Sequence, residues 1–419
     1  MKFIIRGGKR LAGTIEVNGA KNSVLKAMAA SLLFSNPITI KNTPFIEDVL
    51  RMRELLEDLG AKVEEGDRML VIDPTSVRDG KLNKEIAERL RASIVLAGPL
   101  LARNGWADFP YPGGCVIGKR PIDIFLSGWQ AMGAKIMDGK DHFRVTAKKL
   151  RGADFAFRVV SVTGTETMMM TAALASGKTV LRNAAMEPEI LSLADFLNDS
   201  GAKISGAGTP KIEIIGTGGR LLRAKRPFTV IPDRIEAGSF LILGAAIGKK
   251  IKVAGCEPEH MTAIITALRE ANVPLEIGKD FISVSKPRNL KAVNVQTREY
   301  PGFPTDLQAP FAVLMTQAEG ESVIFETIWE SRFGYAENLK RMGANIFLAD
   351  QHRILIKGPH HLRGREIESP DLRAGLALIV AALLAKGESV ISNIYQIDRG
   401  YEKIDERLRE LSAEIQRIN

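Results

Sequence analysis

The chain has 419 residues, of which 45% are hydrophobic and 26% charged, with a formal net charge of +9. That length is too great for one compact core and predicts two domains. The basic residues are scattered rather than gathered into a tail, and aromatics make up only 6%, so a nucleic-acid stripe is not supported and small anionic substrates suit the charge better.

In chain order, the N-terminus MKFIIRGGKRLAG has an apolar start too short for a signal-peptide core. No run approaches the ~18–20 apolar residues of a membrane span, so no membrane insertion is expected. Two cysteines in so large a chain argue against a disulfide framework and for a reducing, cytoplasmic setting. The five histidines and two cysteines show no metal-ligand spacing, so neither a metal nor another cofactor is expected.

Self-similarity then dominates. LEDLGAKV (56–63), WQAMGAKI (129–136), LNDSGAKI (197–204), LREANVPL (268–275), LKRMGANI (339–346) and LRELSAEI (408–415) recur at about 70 residues. Each reads as the end of an amphipathic helix, a cap at Gly60, Gly133, Gly201, Asn272, Gly343 or Ser412, and then a strand. A second element recurs as KNSVLKAMAASLL (21–33), RASIVLAGPLLA (91–102), TETMMMTAALAS (165–176), RIEAGSFLILGAAI (234–247), DLQAPFAVLMTQA (306–318) and DLRAGLALIVAALLA (371–385). These stretches are apolar on nearly every face and predict buried helices. Five open on a charged residue: Lys21, Arg91, Arg234, Asp306 and Asp371. A cation at a helix start opposes the helix dipole unless an anionic ligand sits there too. The expectation is an α/β fold of repeated helix–strand units, with buried helices whose N-termini converge on one ligand site.

Between the second and third of these apolar helices lies YPGGCVIGKRPID (111–123). Gly113 and Gly114 give the backbone freedom, and Lys119 and Arg120 favour a thiolate at Cys115. This predicts a mobile lid carrying a reactive group, whereas Cys256 in VAGCEPEH reads as a buried structural thiol. Asp306, in PGFPTDLQ at the mouth of a buried helix, reads on local grounds as an N-cap.

The motifs NGAKNSVLKA (18–27), RASIVLAGPLLAR (91–103), PGGCVIGKRPID (112–123), YPGFPTDLQAPF (300–311), RMGA (341–344), DLRAG (371–375) and RGYEKIDERL (399–408) occur in one order along the whole chain. In these the chain resembles the UDP-N-acetylglucosamine 1-carboxyvinyltransferases, the enolpyruvyl transferases that begin peptidoglycan precursor synthesis. The resemblance implies a two-domain inside-out α/β barrel with six βαβαββ-type repeats. One lobe would be 22–230, carrying the Cys115 loop; 1–21 and 231–419 would form the other, with the active site in the cleft between them.

It also implies transfer of the enolpyruvyl group of phosphoenolpyruvate to the 3-hydroxyl of UDP-N-acetylglucosamine, with release of phosphate. Cys115 would be acid, nucleophile or both, and Asp306 the base near the sugar hydroxyl. Lys21, Arg120 and Arg399 would surround the phosphate, Lys21 and Arg399 counting among the catalytic residues; Arg332 and Arg373 would face the carboxylate. Asn22 would contact the sugar, Ile328 would do so through its backbone, and Arg91 would belong to the closed site. Arg120, Pro121, Ile122, Asp123 and Ile124 would hold the uridine diphosphate with Ser161 and Val162, and Asp371 completes the substrate-binding set. Phe125, Val159, Thr163 and Trp329 depart from the family pattern beside the nucleotide and sugar. They leave open a paralogue acting on another nucleotide or sugar acceptor. A monomer or weak oligomer is expected.

Overall fold

The computed structural model describes residues 1–111 and 122–418. The chain falls into two units: Met1–Asn18 belongs with the chain from Pro232 onward, and the described residues from Gly19 to Ile231 form the other. Lys21, which the resemblance leaves with the N-terminal strands, opens a helix of the second unit.

The first unit is built from three four-stranded sheets among the described residues. One shows the recurring plan. Val295–Gln296 runs parallel to Gly320–Phe325, which pairs antiparallel with Arg353–Gly358, which pairs antiparallel with Asn345–Asp350. Along the chain this is strand, helix, strand, helix, strand, strand. The other two sheets repeat it with help from the N-terminus. Lys2–Arg6 sits between Glu388–Ser392 and Glu414–Ile418, and Leu11–Glu16 runs parallel at the edge of Gly248–Ala254.

The helices that lead into the strand beside each parallel edge strand are Arg234–Ile247, Gln308–Met315 and Leu372–Leu384. Their side chains are buried almost throughout, as the all-round apolar sequences require; Phe240, Phe311 and Leu378 are each 0% exposed. Each large side chain they remove from water contributes ~1.5–3 kcal/mol. Small residues let neighbouring segments approach these helices closely: a Cβ at Gly375 would lie 2.5 Å from Ile397 Cγ1 and from Ser369 Oγ. The sheets lie outside this helical centre, and the amphipathic helices Thr262–Glu270, Ala336–Arg341 and Ile404–Glu410 complete the repeats.

The second unit follows the same plan around Lys21–Ala30, Ala97–Asn104 and Val162–Leu174. The two-residue strand Phe228–Thr229 returns to run parallel with Ile38–Lys41, so this unit too is completed by a distant segment. Among the described residues its middle sheet has three strands, and the parallel edge is a single bridge between Lys81 and Asp108. Two helix starts differ from the sequence reading. Arg91 opens a 3-10 stretch, Arg91–Leu96, before the α-helix begins at Ala97. The third helix begins at Val162 rather than 165, because the Ser161 side chain caps it.

All six cap positions take the left-handed conformation, with φ of 96° at Gly60, 89° at Gly133, 108° at Gly201, 63° at Asn272, 105° at Gly343 and 73° at Ser412. The repeat was thus visible because each unit needs one residue that tolerates positive φ between helix and strand. The described helices include none long and apolar enough to cross a membrane.

Candidate active site

In the first unit, three central helix starts gather around one charged cluster. Asp306 is the second residue of a 3-10 turn, Thr305–Leu307, that leads into the helix Gln308–Met315. It does not act as an N-cap. Both of its carboxylate oxygens are taken by guanidiniums: Arg332 Nη2 donates to Oδ1 at 2.8 Å, and Arg373 Nε donates to Oδ2 at 2.9 Å. The two arginine side chains are only 4% and 5% exposed, that of Asp306 25%. Charge-assisted bonds between buried groups are the strong kind, so this cluster is well ordered.

Each arginine is also held from elsewhere. Arg373 follows Asp371, whose Oδ1 accepts the backbone N–H groups of Arg373 at 2.8 Å and Ala374 at 3.0 Å and so caps the helix Leu372–Leu384. Arg373 Nη1 donates to the hydroxyl of buried Tyr401 at 3.1 Å. Burial works against the Arg373 charge, but Tyr401, Asp306 and Asp233 more than offset it and hold its pKa above the usual guanidinium range. Burial likewise raises the Tyr401 pKa, which keeps its hydroxyl protonated. Arg332 is fixed through its carbonyl, which accepts from Gln308 Nε2 at 3.2 Å; Gln308 Oε1 in turn accepts from the Tyr335 hydroxyl at 2.6 Å.

Beside the cluster, Glu326 is wholly buried and ties the loop together. Its Oε1 accepts the backbone N–H groups of Ile328 at 2.8 Å and Trp329 at 3.1 Å, and its Oε2 accepts the hydroxyl of Thr305 at 2.7 Å. One carboxylate therefore sets the backbone of Ile328 and Trp329 and the turn that presents Asp306. Arg399 caps the short helix Tyr395–Asp398 and donates to Gln396 Oε1 at 3.1 Å. Arg417 anchors that segment, with Nη1 and Nη2 each donating to Asp398 at 2.8 Å.

The second unit holds the remaining described candidates. Lys21 opens Lys21–Ala30 after Ala20, which offers no side-chain cap. Its ammonium lies 2.6 Å from Asp48 Oδ2, so the protein itself supplies a counter-charge at that helix start. Asn22 follows, partly buried. Arg91 is partly buried where its helical stretch begins. Ile122, Asp123 and Ile124 start the helix Asp123–Ala131. They meet the next helix start directly: Ser161 Oγ accepts from Gly164 N at 3.1 Å, and a Cβ at Gly164 would come within 3.1 Å of Ile124 Cγ2. Ile124, Ser161 and Val162 thus share one neighbourhood. Cys115, Lys119, Arg120 and Pro121 lie outside the described residues.

Of the departures, Val159 is 61% exposed, Thr163 and Trp329 are partly buried, and Phe125 is 6% exposed beside the Trp129 ring at 6.1 Å. Phe125 is therefore a core residue rather than a ligand-facing one. Cys256 is buried, its Sγ donating to the Val253 carbonyl at 3.6 Å, and burial raises its pKa to about 11. That is the inert thiol expected of it. Among the described residues no group of His, Cys, Asp or Glu side chains is placed to hold a metal ion.

Sequence reasoning missed Glu326, Tyr401, Gln308 and Tyr335, although Tyr401 stood inside the quoted RGYEKIDERL and Gln308 inside PGFPTDLQ. It also missed the buried pair Lys26 and Glu166, 3.0 Å apart, which links two central helices of the second unit. A lysine within an otherwise apolar helix was the available signal.

The family model for EPSP synthase (3-phosphoshikimate 1-carboxyvinyltransferase) matches residues 5–408. UDP-N-acetylglucosamine 1-carboxyvinyltransferase of Desulforapulum autotrophicum is 44% identical over 417 residues, covering 100% of this chain and 99% of that protein. The protein of that name from Campylobacter hominis is 44% identical over 421 residues and covers 100% of both chains. The crystal structure of the enolpyruvyl transferase NikO from Streptomyces tendae superposes with a TM-score of 0.91 at 25% identity, over 99% of this chain and 98% of that one. The chain therefore belongs to the EPSP synthase (3-phosphoshikimate 1-carboxyvinyltransferase) family of enolpyruvyl transferases, and within it resembles proteins named UDP-N-acetylglucosamine 1-carboxyvinyltransferase.

Proposed function

We propose that the chain is a transferase that moves the carboxyvinyl (enolpyruvyl) group of phosphoenolpyruvate onto the 3-hydroxyl of UDP-N-acetylglucosamine and releases phosphate. The name shared by full-length relatives supports the acceptor. The structural observation that carries the chemistry is the pair of buried arginines bridged by Asp306, a seat shaped for a carboxylate next to a potential base.

In this reading the sugar oxygen bonds to the central carbon of phosphoenolpyruvate while its proton passes to Asp306. A second proton, for which Cys115 is the donor inferred from sequence, goes to the methylene carbon, giving a tetrahedral adduct. The carbon–oxygen bond to phosphate then breaks as the new methyl group gives up a proton, restoring the double bond. Arg332 and Arg373 hold the carboxylate; Lys21, Arg120 and Arg399 neutralise the phosphate as charge accumulates on it. The start of Val162–Leu174 offers backbone N–H groups to the diphosphate, beside Ile122, Asp123 and Ile124. The reading also assigns Asn22, Arg91, Pro121, Ile328 and Asp371 to substrate binding, as the resemblance implies.

Phosphate release from phosphoenolpyruvate, measured with a panel of acceptors, tests this. Turnover with UDP-N-acetylglucosamine and none with shikimate 3-phosphate is expected. Equal or faster turnover with another acceptor would overturn the assignment of the acceptor, and the absence of release with every acceptor would overturn the transferase.

A further inference from the structure

The bridging of Arg332 and Arg373 by Asp306 has a chemical cost for the residue proposed as base. A carboxylate whose two oxygens each accept a guanidinium N–H, at 2.8 and 2.9 Å, has its best lone pairs occupied and is a poor proton acceptor. The arginines, conversely, cannot be left bare. Two buried guanidiniums without a carboxylate would be an uncompensated pair of like charges. We infer that Asp306 is the resident stand-in for the substrate's carboxylate: it fills the two-arginine seat until that carboxylate replaces it, and only then is it free to act as base. The inference rests on the transferase reading above and adds to it an exchange that orders events, with carboxylate seating before proton abstraction.

Three observations favour exchange over a fixed structural bridge. Asp306 is the most exposed member of the cluster, 25% against 4% and 5% for the arginines, so it is the member with room to swing out. It sits on a single 3-10 turn rather than within an α-helix. The arginines keep their places by other means: Arg373 through Tyr401 and its helix start, Arg332 through the burial of its side chain and the Gln308 bond that fixes its backbone carbonyl. One carboxylate can thus leave and another arrive on a seat that stays built, which lowers the reorganisation that binding demands.

The consequence runs against the usual effect of removing a site residue. Asp306→Asn should bind phosphoenolpyruvate more tightly than the wild type, by about tenfold, or ~1.4 kcal/mol, because the ligand no longer competes with a resident anion. Affinity for inorganic phosphate, which has no carboxylate, should change by less than about twofold. Calorimetric titration of both ligands, with ligand-detected NMR for weak binding, reads the difference. Equal tightening of both ligands would reduce the effect to a general loss of negative charge, and weaker binding of phosphoenolpyruvate would make Asp306 an organiser of the arginines; either overturns the inference. If the wild type binds no phosphoenolpyruvate at all, the transferase reading falls first and takes the inference with it. Should the asparagine variant fail to fold, a crystal structure of the wild type with phosphoenolpyruvate decides. Asp306 parted from both arginines supports exchange, and Asp306 still bonded to both contradicts it.

Discussion

In the first unit, Asp233 and Asp371 each use one carboxylate oxygen to take two backbone N–H groups at the start of a central helix. In the second, Lys21–Ala30 and Arg91–Leu96 begin without any side-chain cap, and Ser161 satisfies only Gly164 N. The two units share one architecture, yet carboxylates cap two of the three central helices in the first, Gln308–Met315 being the exception, and none in the second. Carboxylate caps close a helix start to further anions. Lysine, arginine and serine leave backbone donors and add positive charge or a hydroxyl. Under the proposed function the difference divides the labour: the helix starts of the second unit take phosphate groups, while Arg332 and Arg373 of the first take the carboxylate.

The strongest way to break this comparison is to remove the groups assigned to proton transfer. Cys115→Ser should abolish most turnover, whereas Cys256→Ser, at a buried thiol with a pKa raised to about 11, should leave the rate unchanged. Steady-state phosphate release compares them, and similar losses in both variants would separate Cys115 from the chemistry. Asp306→Ala should lower kcat by ~10²–10⁴-fold, the range for a lost general base. A rate within a few-fold of the wild type would show that Asp306 only neutralises arginines.

A buried charge sharpens the contrast next. In the second unit, the Lys26 ammonium approaches Glu166 to 3.0 Å, but neither Glu166 oxygen has a well-directed hydrogen bond among the described residues. Burial raises the Glu166 pKa from 4.5 to about 7, against the pull of Lys26 and with some help from Glu189 and Glu187. The folded chain therefore favours protonated Glu166. Its contribution to stability is complete below about pH 4.5 and is lost as pH rises through about 7. The full swing is on the order of 3 kcal/mol at most. Urea unfolding from pH 5 to 8 should show this slope in the wild type and lose it in Glu166→Gln. Identical slopes would show that Glu166 does not titrate there.

The caps give the smallest effects. Asp233→Ala should cost about 1 kcal/mol of stability, as a lost N-cap does. Ser161→Ala should cost less stability and instead raise KM for the nucleotide sugar a few-fold, since its helix start is assigned to the ligand. If Ser161→Ala shifted only the unfolding midpoint, the assigned difference between the two units would be lost.

Much of the architecture was legible in the sequence because it repeats. A cap of positive φ recurs at Gly60, Gly133, Gly201, Asn272, Gly343 and Ser412, and uniformly apolar helices have few places other than the interior. The edge strands were not legible. Phe228–Thr229 is two residues long, and its partner Ile38–Lys41 lies at the far end of the unit's sequence. No local periodicity can report such a pairing. The candidate site followed the same rule. The resemblance named Asp306, Arg332 and Arg373 separately, but only tertiary structure shows that one carboxylate serves both arginines. Glu326 gave no local sign, since a glutamate among strand residues reads as a solvated one until its four hydrogen-bond donors are seen.

The central claim is transfer of a carboxyvinyl group to one particular sugar oxygen, and the product's linkage tests it most directly. Proton and carbon NMR of the purified product from phosphoenolpyruvate and UDP-N-acetylglucosamine should show a vinyl ether on the 3-oxygen of the sugar, with one phosphate released per ether formed. A product lacking that ether, or carrying it on another oxygen, would contradict the account.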